Sequence, residues 1–573
     1  MDRKGQRHEV GKSTKRADRK RKRCVPKNRY QAEKSDINIS TSSKKLSSFG
    51  ETNVIINPNI SYRIINFIAV FSAISTYVKC KTCGGDVEFH EGNKRGLGFK
   101  IIIKCRSCVR KEINSCPLVQ NAYEVNRRFI FAMRIIGIGL AGAEKFCAFM
   151  DLPRPIFRTF YNTIISQICD ATEAIKNLTI KKACDIEKQL TNEKCEKSNG
   201  LTVSGDGSWR KRGFSSLHGV VTVIGYYSKK VLDISVKSSY CKECTVWQKK
   251  THLPEYELWK QEHENQCSAN HTGSAGKMEP DAMLEMFQRA EELHGVKYVN
   301  YIGDGDSKTY SKIVQQLPYN VQKKECINHV QKRMGTRLRN RKKNEKGLGG
   351  KGKLTDNLIK DLTLYYGLAI RRNSDSLQNM KKDIWATFFH KCSTDEKPQH
   401  DNCPTGKDSW CKWQKAYALG NINNFKHEPA MPETVSQAIK PIYEDLTRDD
   451  LLERCLGAFN QNNNESINQI IWKIAPKSAF SGTSIVQIAA NVATIMFNDG
   501  HLALLDVLEL LNIEIGQILY DYCHHTDEEL IRIAERQAYE NTRESRLCVT
   551  TSAGVNTANL DVEELLYGAG IAE

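Results

Sequence analysis

A chain of 573 residues, 40% hydrophobic and 26% charged, has the composition of a globular protein with enough length for roughly two to four folded units. Its 85 Lys and Arg outnumber 66 Asp and Glu, and the formal charge of +19 favours an anionic partner. The N-terminus lacks the apolar stretch of a secretory signal, and the most apolar early run, Ile64 to Ile74, carries Asn66 and is too short to span a bilayer. No membrane partner is expected, and the 20 cysteines belong in a reducing compartment, where paired cysteines point to zinc rather than to disulfides.

In chain order, residues 1–50 form a basic leader without apolar periodicity, read as disordered. Residues 1–34 hold 14 Lys/Arg against 4 Asp/Glu, and the densest run, Lys15 to Arg23, has the character of a nuclear import signal or a non-specific DNA arm. A nuclear location follows as an expectation. Residues 51–116 are a small cysteine-bearing module that includes a core helix at Ile64 to Ile74, and residues 117–198 read as a helical domain with one long amphipathic helix from Val125 to Met150, stopped by Pro153. Residues 199–335 change character: GLTVSGD, HGVVTVIGYY and VLDISVKS are three β-rich runs, followed by a helix at Pro280 to His294, a fourth strand in VKYVNYIGDGD, a helix at Ser307 to Gln316 and a fifth strand at Val321 to Cys326. Residues 336–450 are mostly helical, 451–515 return to strongly apolar helices, and 516–573 hold a charged helix, Asp527 to Arg546, and a tail.

Three acids stand out. Asp206 ends the first β-run and Asp304 the fourth, with Asp306 as the competitor farther from the strand end. Glu465 opens a helix whose apolar stripe is Ile467, Ile470, Ile471 and Ile474, with Asn463 or Asn464 as its cap and Pro476 as its stop. Carboxylates converging from separate elements are the ligands that two Mg²⁺ or Mn²⁺ ions require for phosphodiester cleavage. The glycines flanking Asp206 and Asp304 leave room for backbone and substrate to approach. A single Asp after a strand is equally a turn former, so the reading rests on the set of three.

The cysteines fall into clusters. Cys80-x-x-Cys83 and Cys105-x-x-Cys108 flank β-like sequence and read as a four-thiolate zinc ribbon. Cys241, Cys244, His263 and Cys267 make a second zinc set within an insertion at 240–275, with His271 as the alternate to His263, and His390, His400, Cys403 and Cys411 offer a third with irregular spacing. From Lys332 to Lys353 there are ten Lys/Arg and one acid. Lys332, Arg333, Arg337, Arg339, Arg341, Lys342 and Lys343, with Arg210, Lys211 and Arg212 beside Asp206, are the candidate phosphate contacts. Gly347 to Gly352 reads as a flexible part of this segment. Trp209 and Trp472 fit a buried role better than stacking on a base.

Across roughly residues 60–520 the chain resembles the Mutator-like transposase domain of animal mobile-element proteins. The likeness is carried by VNRRFIFAMRIIGIGLAGAEKFCAFMDLPRP, SGDGSWRKRG, YIGDGDSKTY, CINHVQKRMGTRLR, LTDNLIKDLTLYYGLAIRRN, CPTGKDSWCKW and NNNESINQIIW. The resemblance implies an α/β RNase H-like catalytic core in two parts, 199–335 and 451–515, interrupted by the helical insertion 336–450, with the zinc-ribbon module and helical domain on its N-terminal side. It implies a catalytic Asp-Asp-Glu triad, by position Asp206, Asp304 and Glu465, and a Cys-x-x-His element, here Cys326 and His329. The expected function is a DNA transposase that cleaves element ends and transfers strands, with double-stranded DNA (terminal inverted repeats and target) as partner. It would use Mg²⁺ or Mn²⁺, carry structural zinc and act as a homo-oligomer. The alternative is a domesticated or inactive relative that binds DNA without cutting it.

Overall fold

The computed structural model describes residues 45–46, 54–194, 199–211, 215–264, 266–305, 307–407 and 409–540. The basic run Lys15 to Arg23, Arg212, Asp306 and residues 548–573 therefore lie outside the described residues.

Helix α1 (Phe67–Ser75) leads into strands β1 (Val87–Arg95), β2 (Gly98–Cys105) and β3 (Lys111–Asn114), which form a three-stranded antiparallel sheet in that order. The expected core helix at Ile64 to Ile74 is thus displaced by a few residues. It is also not a core element: Ile64 and Ile68 are each 75% exposed and no α1 residue is buried. Its Phe67 and Phe71 instead touch Phe99 and Phe89 of the small sheet, too little apolar surface to cover the whole helix. A short hairpin of β4 (Leu118–Val119) and β5 (Ala122–Tyr123) precedes α2 (Glu124–Ile135), α3 (Leu140–Phe149) and the 37-residue α4 (Arg158–Lys194). The single helix expected over Val125 to Met150 is broken at Gly137, whose φ of +80° leaves the helical region. The same glycine packs so closely that a Cβ would fall 2.6 Å from the Lys473 carbonyl.

The central sheet has five strands: β6 (Leu201–Trp209), β7 (His218–Gly225), β8 (Val231–Ser238), β9 (Tyr298–Gly303) and β10 (Gln322–Glu325), in the order β10-β9-β6-β7-β8. β6, β7 and β8 are an antiparallel meander, whereas β9 runs parallel to β6 and β10 parallel to β9. The five strands expected from the alternation of β-rich runs are all present. β7 and β8 are buried along their whole length, because helices cover both faces of the sheet. Between β8 and β9 lie the short helices α5 (Lys242–Trp247) and α6 (Glu255–Glu264) of the 240–275 insertion, then α7 (Ala275–His294), which lies across β6 to β8. Arg289 of α7 clamps Asp233 of β8 with two hydrogen bonds of 2.8 and 2.6 Å. Helix α8 (Ser307–Gln316) joins β9 to β10.

After β10 the chain leaves the sheet through α9 (Ile327–Asn344), α10 (Asp356–Arg372), α11 (Leu377–Cys392), α12 (Lys412–Ala418), α13 (Glu433–Leu446) and α14 (Asp449–Glu453). These helices bury a second core, from Ile327 to Cys455, separate from the core around the sheet. The Gly-rich 347–352 segment is not loose: Leu348, 4% exposed, plugs into that second core. The excursion leaves and returns at one place. Glu325 N–H donates to the Arg454 carbonyl and Ile327 N–H to that of Phe459, both at 2.9 Å. The chain then re-enters the sheet core through α15 (Asn462–Ile474), α16 (Thr483–Asp499), α17 (Leu504–Leu510) and α18 (Gln517–Glu540). No described helix is long and apolar enough to cross a membrane.

Candidate metal centres and the carboxylate edge of the sheet

The parallel register of β6 and β9 brings the two aspartates to one edge. Ser204 pairs with Ile302, and Asp206 and Asp304 each follow two residues farther on, Asp206 inside β6 and Asp304 just past β9. They differ in setting. Asp206 is half-buried within β6, whereas the Asp304 side chain is 59% exposed just past the end of β9. Burial pushes the Asp206 carboxyl up to about 6. The charge of Glu465 adds to this, and the charge of His329 opposes it. Glu465 and His329 thus stand close enough to Asp206 to act on its charge.

Glu465 sits in the first turn of α15, as expected, and is exposed. Ile467, Ile471 and Ile474 are buried beneath it, and Ile470 is half-buried. Neither Asn463 nor Asn464 caps the helix. Gln461 is the N-cap residue, and Asn464 is completely buried inside the helix. What holds α15 to β6 is a polar stripe beside the apolar one. Gln461 Nε2 donates to the Gly205 carbonyl at 2.7 Å, and Asn464 accepts from Ser204 Oγ at 2.7 Å and donates to Thr222 Oγ1 at 3.1 Å. Asn468 Nδ2 donates to Asp206 Oδ2 at 2.8 Å, and Trp472 Nε1 to Ser208 Oγ at 2.7 Å. Spacings of three, four and four keep these side chains on one helical face. The sequence displays the stripe as N-x-x-x-N-x-x-x-W, a pattern hidden behind the louder isoleucines. Trp472 and, through its bond to the Ala275 carbonyl, Trp209 are structural, in line with the sequence reading.

Cys326 and His329 separate in role. Cys326 is 1% exposed and precedes α9, whereas His329 Nδ1 lies 3.1 Å from Gln461 Oε1 and 3.6 Å from Asp304 Oδ1. His329 therefore bridges the second aspartate and the start of the glutamate helix. Its imidazole is pushed up to about 9, chiefly by the Cys326 thiol, with Asp304 contributing and burial opposing. The flanking glycines correct the expectation of open space for substrate. A Cβ on Gly205, Gly207, Gly303 or Gly305 would collide with Met283, Glu279, Tyr301 or Arg333 respectively, so the protein's own side chains fill that room. Glu279 of α7, whose carboxylate lies over Gly207, is an acid at this edge that the sequence did not signal.

Three other groups bring their ligand atoms within 4.8 Å of one another: Cys80, Cys83, Cys105 and Cys108; Cys241, Cys244, His263 and Cys267; and His390, His400, Cys403 and Cys411. These are the three expected sets, and each could hold zinc. Asp206, Asp304 and Glu465 do not form such a group among the described residues. Of the sulfur separations, 3.8 Å (Cys80–Cys108) matches the about 3.8 Å edge of a tetrahedron with 2.3 Å zinc–sulfur bonds, and 3.2 Å (Cys83–Cys105) is shorter. In the second group His263 presents Nε2 to Cys241 at 3.3 Å and turns Nδ1 to Glu243 at 3.0 Å, the carboxylate–histidine pairing that orients a ligand. His271 is elsewhere, with Nε2 3.2 Å from the Ser274 carbonyl oxygen.

In the third group His400 Nδ1 faces Cys411 at 3.4 Å and Cys403 at 3.7 Å. Its Nε2 lies 2.9 Å from His427 Nε2, and His427 Nδ1 lies 2.6 Å from Asp395. His427 lies beyond the ligand set in the chain, and Asp395, though between His390 and His400, meets the set only through His427. The thiols compete for charge: Cys80 is drawn down to about 6 by backbone N–H donors while Cys108 is pushed up to about 12 by its thiol neighbours. A divalent cation removes this conflict by letting all four ionise.

Of the basic side chains on α9, several already have partners. Arg333 donates to Glu325 at 2.7 Å, Arg341 and Lys342 pair with Glu345 and Asp356 at 2.7 and 2.8 Å, and Arg337 pairs with Asp445. Lys332, Arg339 and Lys343 are exposed, as is Lys211, while Arg210 is half-buried, bonded to the Ala479 carbonyl and stacked over Phe480.

The family model of Mutator-like transposases matches residues 61–411. This chain belongs to the Mutator-like transposase family. The match takes in Asp206, Asp304, Cys326, His329 and all three cysteine clusters, and it ends before Glu465. No curated protein matches the chain. Membership ties this Mutator-like transposase to transposase-related chemistry and to DNA.

Proposed function

We propose that this protein is a DNA transposase that cleaves element ends and joins them to target DNA at a centre built from Asp206, Asp304 and Glu465, on an RNase H-like core. The parallel pairing of β6 with β9 carries the reading, since its last pair, Ser204 with Ile302, lies two residues before Asp206 on one strand and Asp304 on the other. The sheet order β10-β9-β6-β7-β8, an antiparallel meander extended by two parallel strands, supports the fold assignment. Bound Mg²⁺ or Mn²⁺ would supply charge neutralisation and an activated oxygen nucleophile. The chain's own part is to position. Asn464 and Gln461 fix α15 on β6, Asn468 orients Asp206, and His329 stands between Asp304 and α15. Cleavage of a phosphodiester frees a 3′-hydroxyl, and attack of that hydroxyl on target DNA is the same displacement with a different nucleophile.

Double-stranded DNA bearing terminal inverted repeats is the proposed substrate, held by Lys332, Arg339 and Lys343 on α9 and by Lys211 near the site. Synapsis of two element ends calls for a homo-oligomer, and the basic leader for a nuclear location. The exposure of Asp304, and the absence of a ligand-spaced acid group among the described residues, favour one rival: a domesticated relative that holds DNA without cutting it.

Supercoiled plasmid carrying candidate terminal repeats, incubated with Mg²⁺ or Mn²⁺, separates the two. Nicking at repeat ends is expected from the wild type. Asp206→Ala, Asp304→Ala and Glu465→Ala should each lose at least about 10³-fold in rate with DNA binding retained. Salt-sensitive binding without nicking by the wild type would establish the rival.

A further inference from the structure

Asn468 lies one helical turn beyond Glu465 on α15 and reaches back to the sheet, where its Nδ2 donates to Asp206 Oδ2 at 2.8 Å. The bond occupies one of the two carboxylate oxygens. The far side of the same amide is unusual. Asn468 Oδ1 is buried and has no hydrogen-bond partner among the described residues. A buried amide oxygen normally finds a donor, and most exceptions in a folded protein mark a missing water, ion or ligand. The other members of the stripe lack this deficiency: Gln461, Asn464 and Trp472 all have both ends or their single donor engaged with β6, β7 or His329. Only the residue that touches a proposed cation ligand keeps an open acceptor, and that acceptor would be satisfied by a water carried in by a hydrated divalent cation.

We infer that Asn468 is a positioning residue of the carboxylate centre, holding Asp206 in the orientation that binds a divalent cation and accepting, through Oδ1, a hydrogen bond from a water of that cation's shell. The inference rests on the reading of Asp206 as a cation ligand. It adds to that reading a residue outside the three acids, and it gives the last residue of N-E-S-I-N a reason to be an amide: a carboxylate has no N–H for Asp206, and an aliphatic side chain has neither function.

The test is a Mn²⁺ titration of the full-length protein followed by electron paramagnetic resonance of free Mn²⁺, with thermal unfolding and zinc content as controls. Wild type should bind Mn²⁺ and Asp206→Ala should lose the site. Asn468→Leu, of similar volume but without the amide, should bind about 10- to 100-fold more weakly at unchanged zinc content and unfolding midpoint, the effect expected of an outer-shell partner. Asn468→Gln should recover most of the affinity. Should Asn468→Leu fail to fold, Asn468→Ser, too short to reach Asp206, takes its place. Wild-type affinity in either variant, or recovery by Asn468→Leu equal to that by Asn468→Gln, overturns the role of Asn468 while leaving the three acids intact. If wild type binds no Mn²⁺, or Asp206→Ala binds as tightly as wild type, the carboxylate centre itself falls and this role with it.

Discussion

The cysteine–histidine clusters and the carboxylate edge are both candidate metal centres, yet among the described residues the clusters alone have their ligand atoms gathered. Protonated thiols and imidazoles carrying a single N–H are neutral and can hydrogen-bond to one another, so four of them pack together at little electrostatic cost before a metal arrives. Carboxylates repel one another and cost more to bury: burial first, with the charge of Glu465 adding to it, pushes the Asp206 carboxyl up. The edge is therefore held from outside, by the amides of α15 and by His329, with the acids kept apart. A centre that only braces a fold is closed, whereas one meant to bind and release phosphates leaves room for its ligands.

Several measurements would break or sharpen this contrast. The largest effect is expected at the ribbon. Removing zinc with a strong chelator, or Cys105→Ser, should unfold the β1–β3 module, whose exposed strands leave little apolar surface to hold it. Structural zinc contributes on the order of 10 kcal/mol in small modules. Limited proteolysis within residues 79–116, with the central sheet still protected, reads this out, and an intact ribbon after zinc loss would contradict it. At the third cluster, His427→Ala removes the Asp395–His427 support of His400 and should weaken zinc binding about 10- to 100-fold in a chelator competition, leaving the ribbon zinc untouched. At the carboxylate edge, Asn464→Leu strands Ser204 and Thr222 without their partner and should cost about 1–3 kcal/mol, seen as a lowered unfolding midpoint. A neutral result would show that the polar stripe does not hold α15. The smallest effect is at the surface: Arg339→Ala and Lys343→Ala should each lower the slope of log affinity against log salt by about 1, with cleavage chemistry unchanged. Arg337→Ala, whose charge is already matched by Asp445, should lower it less.

The polar stripe of α15 illustrates why the site was only partly legible. Asp304 and Glu465 could be singled out because one follows a strand and the other opens a helix, and local pattern marks those ends; Asp206, read as ending the first β-run, instead lies inside β6, which continues to Trp209. Gln461, Asn468 and Glu279 are ordinary surface residue types in the chain, and their meaning appears only when β6 lies beside them. His427 is similar. It lies 16 residues beyond Cys411, and only the folding back of its loop brings it to His400. The glycines around the aspartates misled for the same reason: a missing Cβ announces close approach without saying what approaches, and here it is Met283, Glu279, Tyr301 and Arg333.

By itself the sequence determined the alternation of strands and helices and offered the three ligand sets, because hydrophobic period and ligand spacing are properties of nearby residues, while His263 rather than His271 beside Cys241 was settled by the fold. Helix α1 and the break at Gly137 went the other way, since burial and a close contact with Lys473 depend on what the rest of the chain leaves uncovered. Tertiary structure alone decided that β9 docks in parallel on β6, that the excursion through α9 to α14 returns to its own starting point, and that an asparagine stands over Asp206. Those are choices among long-range pairings, which are fixed by the sum of many distant contacts and by no local stretch of residues.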